Sequence, residues 1–463
     1  MSGAKGTAGP DASNPSAPSD AARTQVVVST LTDAFAALIA ADPRAFTAKF
    51  RTMARDPFAF YRGSAVLFYR DVTTAGPYAG VDDRWVDAEA RRVWIQGDLH
   101  AENFGTYMDA RGRLVFDVND FDEAYLGHWT WDVLRFSASL ALLCWQKALP
   151  DDVIDRVVAS YVRSYADQVE HYRTEQDDSR WALTLETSSG AVLAALRRAK
   201  LSSRVALLES ATVVDQYARR FAQRSGVRRL EGGELEAVRT AFTRYVDTVP
   251  DATRGGVTFD VLDAVRLAGL GVGSAGLPAY SVLIEGYSQA LDNDVVLTLK
   301  QGNVAAPSRV VDDEVVRSYF EHHGHRTAVS QHALHAQADR FLGWTELAGT
   351  DGPQTGFVVS EFSPYTADLD WADVLDVDDI DDLVSQLGRA TAKIHCVADD
   401  ESEHDLVGVS VEEVVARCIG GDVDALVGDV TAFAHAYAAQ VRRDHRLFVD
   451  AFRGGAFSGV APT

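Results

Sequence analysis

Residues 97–124 read GDLHAENFGTYMDARGRLVFDVNDFDEA. Asp98 and Asn103 stand five apart behind a strand-like run, RRVWIQ (91–96), with His100 and Glu102 between them. A second run, RLVFDVND (113–120), ends at Asp120, and Asp122 and Glu123 follow. Strand–loop–strand geometry lets two strand ends present their oxygens side by side. Asp and Asn also cap ordinary turns, which would account for any one of these residues. It does not account for all of them, because so many polar groups on adjacent strand ends are costly without a ligand. Carboxylate and amide oxygens gathered this way suit a hard cation such as Mg²⁺, which keeps waters and takes phosphate oxygens as further ligands. A carboxylate left outside the metal shell can accept a proton from an attacking hydroxyl.

Working outward, residues 25–55 carry helical periodicity, with Leu31, Phe35, Leu38 and Ile39 on one face and Phe46 and Phe50 on the next. Asp56-Pro57 interrupts it, and FAFYRGSAVLFYRDV (58–72) is apolar without a decided type. WDVLRFSASLALLCW (131–145) is apolar nearly all round, as a buried helix is. An amphipathic helix covers 151–175, and helical patterns continue to about 248. Between about 257 and 301 the character changes to β-branched and alternating runs separated by turn residues. Helical periodicity returns over 311–343, a strand over 356–362, and helices over 379–398, 410–418 and 424–453. The expected organisation is a disordered tail (1–22), a helical segment with both acidic loops (23–250), a β-rich segment (251–365) and a second helical segment (366–463).

The β-rich segment contains a second constellation. Gly271, Gly273, Ser274 and Gly276 form a GxGxxG, a weak signal alone. A dinucleotide-binding turn should open a helix, whereas here AYSVLIEG (279–286) and then DVVLTLK, ending in Lys300, read as strands. Strand, glycine loop, strand, turn and a strand bearing lysine is how a protein kinase covers ATP phosphates and aims a Lys at them. A plain hairpin with a snorkelling edge lysine is the simpler alternative. Only six of the 44 basic residues are Lys, which makes a lysine inside an apolar strand stand out.

Together the two constellations resemble the aminoglycoside-phosphotransferase and protein-kinase-like superfamily, in which a (H)GDxHxxN loop precedes a strand ending in DFxD. QGDLHAEN (96–103) and NDFDEA (119–124) look like this pair, with Gln96 where the superfamily usually places His. GDxHxxNFG, FDxNDFDE and GxGSxG are similar to the patterns of the bacterial family catalogued as domain of unknown function 2252, spread over roughly 57–400. The resemblance implies that Asp98 is the catalytic base and that His100 orders its loop. It implies that Asn103, Asp120 and Asp122 hold Mg²⁺. It further implies that Gly271, Gly273, Ser274 and Gly276 cover the phosphates of ATP, that Lys300 contacts them, and that Asp132 braces the catalytic loop. Glu314 and Glu321 are the acidic partners of Lys300 that spacing allows. Because the catalytic loop precedes the glycine loop, the implied fold is α+β and bilobal, a circularly permuted kinase-like fold. A β-rich nucleotide lobe is then inserted in a mainly helical lobe.

The implied activity is an ATP- and Mg²⁺-dependent phosphotransfer to a small-molecule hydroxyl or amine. Alternatives are a non-catalytic nucleotide-binding module and a nucleotidyl transferase. The acceptor pocket is expected from residues 151–248 and 400–453. A net charge of −23 argues against nucleic acid and anionic membrane surfaces as partners. No apolar run reaches the ~18 residues of a membrane span, and Cys144, Cys396 and Cys418 are widely spaced, as reduced thiols of a cytoplasmic protein are. Five histidines between His322 and His335 read as a solvated helix surface, with His332 and His335 sharing a face. Arg62-Gly63 is a further pair for phosphate, substrate or a structural carboxylate.

Overall fold

The computed structural model describes residues 19–461 apart from 75, 268–275, 349–353, 401, 403 and 404. The fold is α+β, and helices predominate. Four helices come first: α1 (Asp20–Ala41), α2 (Pro43–Met53), α3 (Pro57–Arg62) and α4 (Ala65–Thr73). Two Asp-Pro steps divide them. Asp42 and Asp56 accept the amides of Ala45 and Ala59, while Pro43 and Pro57 take first-turn positions where no N–H is needed. The apolar run at 58–72 is thereby resolved as helical. The tail expected to reach residue 22 gives way to helix at Asp20, and residues 1–18 lie outside the described part. By length and composition α1 is the one described helix able to cross a membrane, counter to the expectation that no stretch qualifies. Its stripe Val27, Leu31, Phe35 and Ile39 is packed into the core.

Four short strands follow: β1 (Val93–Ile95), β2 (Phe104–Met108), β3 (Leu114–Val118) and β4 (Tyr125–Gly127). They pair as β1 with β4 and β2 with β3. The two runs read as neighbouring strands are therefore not partners, and β2 and β4 are hidden in loop-like sequence. This pairing positions the site. Residues 96–103 lead from one small sheet to the other, and residues 119–124 lead back, so the two acidic connections run side by side.

The large core is built on α5 (Trp129–Gln146), whose side chains are buried on every face as far as Cys144. Around it pack α6 (Asp151–Glu175), α13 (Val377–Cys396) and α15 (Val423–Arg453), with α14 (Val411–Ile419) against α6. The closest crossing is at Gly388 of α13, where a Cβ would stand 2.4 Å from the Tyr161 carbonyl oxygen.

The stretch of chain between α7 (Gly190–Lys200) and α13 carries the large sheet and a second core. It comprises α8 (Arg204–Ala211), the hairpin β5 (Thr212–Asp215) and β6 (Ala218–Phe221), β7 (Val227–Arg229), α9 (Gly232–Val246) and α10 (Asp251–Arg254). The remainder is β8 (Val261–Leu267), β9 (Ala279–Ile284), β10 (Val295–Gln301), α11 (Glu314–Tyr319), α12 (His323–His335), β11 (Gly343–Leu347) and β12 (Thr355–Glu361). Six of these strands form one antiparallel sheet in the order β11-β12-β10-β9-β8-β7. The sheet begins earlier than 251: β7 pairs with β8, and Val238, Phe242 and Tyr245 of α9 belong to the core it covers. Strands of three or four residues, rich in Arg, carry too little alternation to be seen among helices.

The histidine segment departs from expectation as well. His325 and His335 are buried, because α12 packs against β10, β11 and β12 rather than facing solvent.

Candidate active site

Gly97 opens the first acidic connection with a φ of +82°, and a Cβ there would lie 2.1 Å from the Glu123 carbonyl oxygen. Only glycine lets the two connections come this close. Asp132 on α5 accepts the amides of Gln96 (2.7 Å) and Gly97 (3.0 Å) and receives His395 Nε2 of α13 at 3.3 Å. It therefore ties the first connection to helices from both ends of the chain. Gln96 clamps the two connections together. Its Nε2 donates to the carbonyls of Asn119 (3.2 Å) and Asp120 (2.6 Å), and its Oε1 accepts the Asp98 amide at 2.8 Å.

Asp98 is held through one oxygen. Arg135 Nε donates to its Oδ1 at 2.8 Å, and Arg135 Nη2 closes on the same atom. The guanidinium lies 4.2 Å from the Tyr61 ring centroid and is fully buried. Burial, opposed by Arg135, pushes the Asp98 carboxyl up to about 6. Its Oδ2 is 3.9 Å from His100 Nε2, beyond hydrogen bonding. His100 is buried and pushed well down by desolvation, so it is neutral, and its Nδ1 accepts the Glu102 amide at 3.3 Å. That bond lies within the loop itself and leaves the proton of the neutral ring on Nε2, the nitrogen that faces Asp98.

Asn103 meets the second connection: its carbonyl accepts the Asn119 amide at 3.0 Å, and its Nδ2 donates to the Asp98 carbonyl at 3.1 Å. Asp120 follows with a left-handed φ of +57°, uncommon for a residue other than glycine and typical of functional loops. Burial and the neighbouring Asp122 raise its carboxyl. Asp122 is ion-paired with Lys300 of β10, so the partner of the lysine is neither Glu314 nor Glu321. Glu314 instead pairs with Arg317 on the surface. From α12, Arg326 donates to the carbonyls of Ala124, Asp122 (2.7 Å) and Asn303 (3.1 Å), so the helix docks on the acidic loop through backbone oxygens.

Two cavities meet at Asp120 and Asp122, which line both. The first, about 240 Å³, has Lys300, Tyr107, His335, Val358 and Glu361 in its walls. His335 stacks on Tyr107 at 4.2 Å and bonds the Val118 carbonyl at 2.9 Å. The second, narrower cavity contains Asp98 and Glu123, and its remaining wall comes from α1 to α4 and residues 303–309, not from residues 151–248 or 400–453.

The profile of DUF2252, described as an uncharacterized protein conserved in bacteria, matches residues 41–451. The chain belongs to the DUF2252 family. No curated protein and no solved structure matches it. In this DUF2252 chain Asp98, His100, Asn103, Asp120 and Asp122 are gathered on two adjacent connections, with Lys300 brought to them from the sheet. Gly271, Gly273 and Ser274 lie outside the described residues. Gly276 is described, and a Cβ on it would contact Asp42 at 3.3 Å, which sets the end of the glycine loop against the α1–α2 corner. Among the described residues no group of three or more His, Cys, Asp or Glu side chains forms a metal cage, including the histidines of α12. Arg135 and Lys49, which also border the Asp98 carboxylate or its cavity, lie outside the motifs that mark the other site residues. A signal for Arg135 is present in the sequence: a guanidinium in an otherwise apolar helix requires a buried anion.

Proposed function

We propose that this DUF2252 chain is an ATP- and Mg²⁺-dependent phosphotransferase acting on a small-molecule hydroxyl or amine, built on a circularly permuted protein-kinase-like fold. One observation carries the reading: Asp120 and Asp122 stand in the wall common to a cavity holding Lys300 and a cavity holding Asp98. A nucleotide on the Lys300 side would place its terminal phosphate at that wall, facing an acceptor on the Asp98 side. The permutation draws support from α13, whose His395 reaches Asp132 beneath the catalytic loop although it lies 263 residues later.

The donor set fits a hard cation. Two neighbouring buried carboxylates, one raised by the other, are stabilised when a divalent ion lies between them. Asn103, Asp120 and Asp122 would hold Mg²⁺, which neutralises charge on the transferring phosphoryl group. Lys300, now on Asp122, would turn to the phosphates. Asp98 Oδ2 would take the proton of the acceptor hydroxyl as its oxygen bonds to phosphorus and the bond to ADP breaks. Arg135 keeps the other oxygen fixed during that transfer.

Calorimetric titration of ATP with Mg²⁺, followed by a transfer screen with γ- and α-labelled ATP, tests this. Phosphate transfer is expected, with Asp98→Asn lowering turnover by about 10²-fold or more while ATP affinity changes little. A fully active Asp98→Asn protein would sink the assignment. Label transferred only from the α position would mean nucleotidyl transfer, and ATP binding without transfer would mean a binding module.

A further inference from the structure

Lys49 of α2 is only 7% exposed and, among the described residues, makes no hydrogen bond and no ion pair. Its ammonium rests 4.4 Å from the centroid of the Phe35 ring. A buried cation without an acceptor is costly and is kept only where something offsets it. Lys49 lines the Asp98 cavity, and that cavity holds two further cations, Arg62 and Arg309. Arg309 donates to the Ala34 carbonyl at 3.1 Å and has no carboxylate partner among the described residues, while Arg62 is ion-paired with Glu102.

The carboxylates of the same cavity are largely engaged. Asp98 is held by Arg135, Asp122 by Lys300, and Glu123 accepts the Ala306 amide. Lys49 stands near Glu123, Asp98, Asp122 and Asp120 but is ion-paired with none of them. Lys49 and Arg309 thus reach the cavity without a carboxylate of their own among the described residues. At about 40 Å³ the cavity admits a compact group, on the order of three water centres.

We propose that the Asp98 cavity binds an anionic acceptor: a compact hydroxylated acid whose carboxylate or phosphate is held by Lys49 with Arg62 and Arg309, and whose hydroxyl faces Asp98. The role of the hydroxyl rests on the phosphotransfer reading above; the anion site does not. An acceptor rich in ammonium groups would meet Lys49 as a like charge and is disfavoured. In the transfer the acceptor O–P bond forms, the P–O bond to ADP breaks, and the hydroxyl proton passes to Asp98.

Calorimetry without nucleotide, using D-glycerate, glycerol 3-phosphate, glycerol and ethanolamine, tests the site and separates a carboxylate from a phosphate ligand. At least one acid should bind, and glycerol and ethanolamine should not. Lys49→Met should weaken the acid tenfold or more and Lys49→Arg only a few-fold. Arg309→Gln, on an exposed residue, should weaken it a few-fold. Thermal melts establish that each variant is folded. Failure of both acids to bind the unaltered protein, or equal binding to Lys49→Met, would overturn the proposal. So would a Lys49→Met protein that loses ATP affinity and keeps acid affinity. With ATP and Mg²⁺ added, a bound acid that is never phosphorylated leaves the anion site standing and counts against phosphotransfer. Transfer to glycerol or ethanolamine undiminished in Lys49→Met does the reverse.

Discussion

Glu123 carries a readable pH signature. Its carboxyl is pushed up to about 7 by burial, and then by Asp98, from an ordinary value of 4.5. A raised carboxyl favours the folded state when protonated. Its contribution is full below about pH 4.5 and lost as the pH rises through about 7. Glu123→Gln keeps an acceptor for the Ala306 amide and cannot ionise. It should therefore melt several degrees above the unaltered protein at pH 8, with the gap closing toward pH 4.5. At roughly 1.4 kcal/mol for each tenfold change in proton affinity, the gain is about 3 kcal/mol at most. Scanning calorimetry at both ends of that range checks it, and equal melting at pH 8 would mean the charge is compensated. At this scale the sequence is informative where residues cluster along the chain. Asp98, Asn103, Asp120 and Asp122 are legible because two short connections hold them. Lys49 is not, since on a helix a polar residue looks solvated until the α1–α2 corner covers it.

Among the elements, α13 bears most directly on the site. Lys393 is buried on it, donating to Asp117 Oδ2 of β3 at 2.6 Å and to the Leu334 carbonyl of α12 at 2.9 Å. This one ammonium joins the helix, the β2–β3 hairpin and the helix that docks on the acidic loop. Lys393→Met would strand the Asp117 carboxylate in the core and cost about 3–5 kcal/mol. Urea denaturation should show it, and adding Asp117→Leu should recover much of the loss. Helices with Asp-Pro starts or strong apolar stripes are legible as elements. The strands β5 to β7 are not, because none exceeds four residues, and α12 misleads because histidine in a helix suggests water. Its burial depends on β10, β11 and β12, whose distance from it in sequence hides the contact.

The whole molecule is closed by its two ends. Arg23 of α1 bonds Asp71 of α4 at 2.7 Å and Asp444 of α15 at 2.9 Å, and all three side chains are buried. Arg23→Met leaves two carboxylates facing each other and should cost about 3–5 kcal/mol. Limited proteolysis should then cut within residues 20–56 under conditions in which the unaltered chain resists, and unchanged resistance would refute this account. The change to β-branched, alternating runs after about residue 257 makes β8 to β10 legible. The origin of the second cavity in α1 to α4 is not legible, because no local pattern says which helices turn toward Asp98.

The Arg23–Asp444 bond also has a consequence for synthesis. The partner of Arg23 is made 421 residues later, which at typical ribosomal speeds is roughly 20 to 80 seconds. During that interval the apolar faces that α15 will cover are open, and until α13 is made Asp132 beneath the first acidic connection lacks His395. The nascent large core therefore keeps an apolar face open to association until α15 emerges, and a chain ended before α15 would be left in that unfinished state.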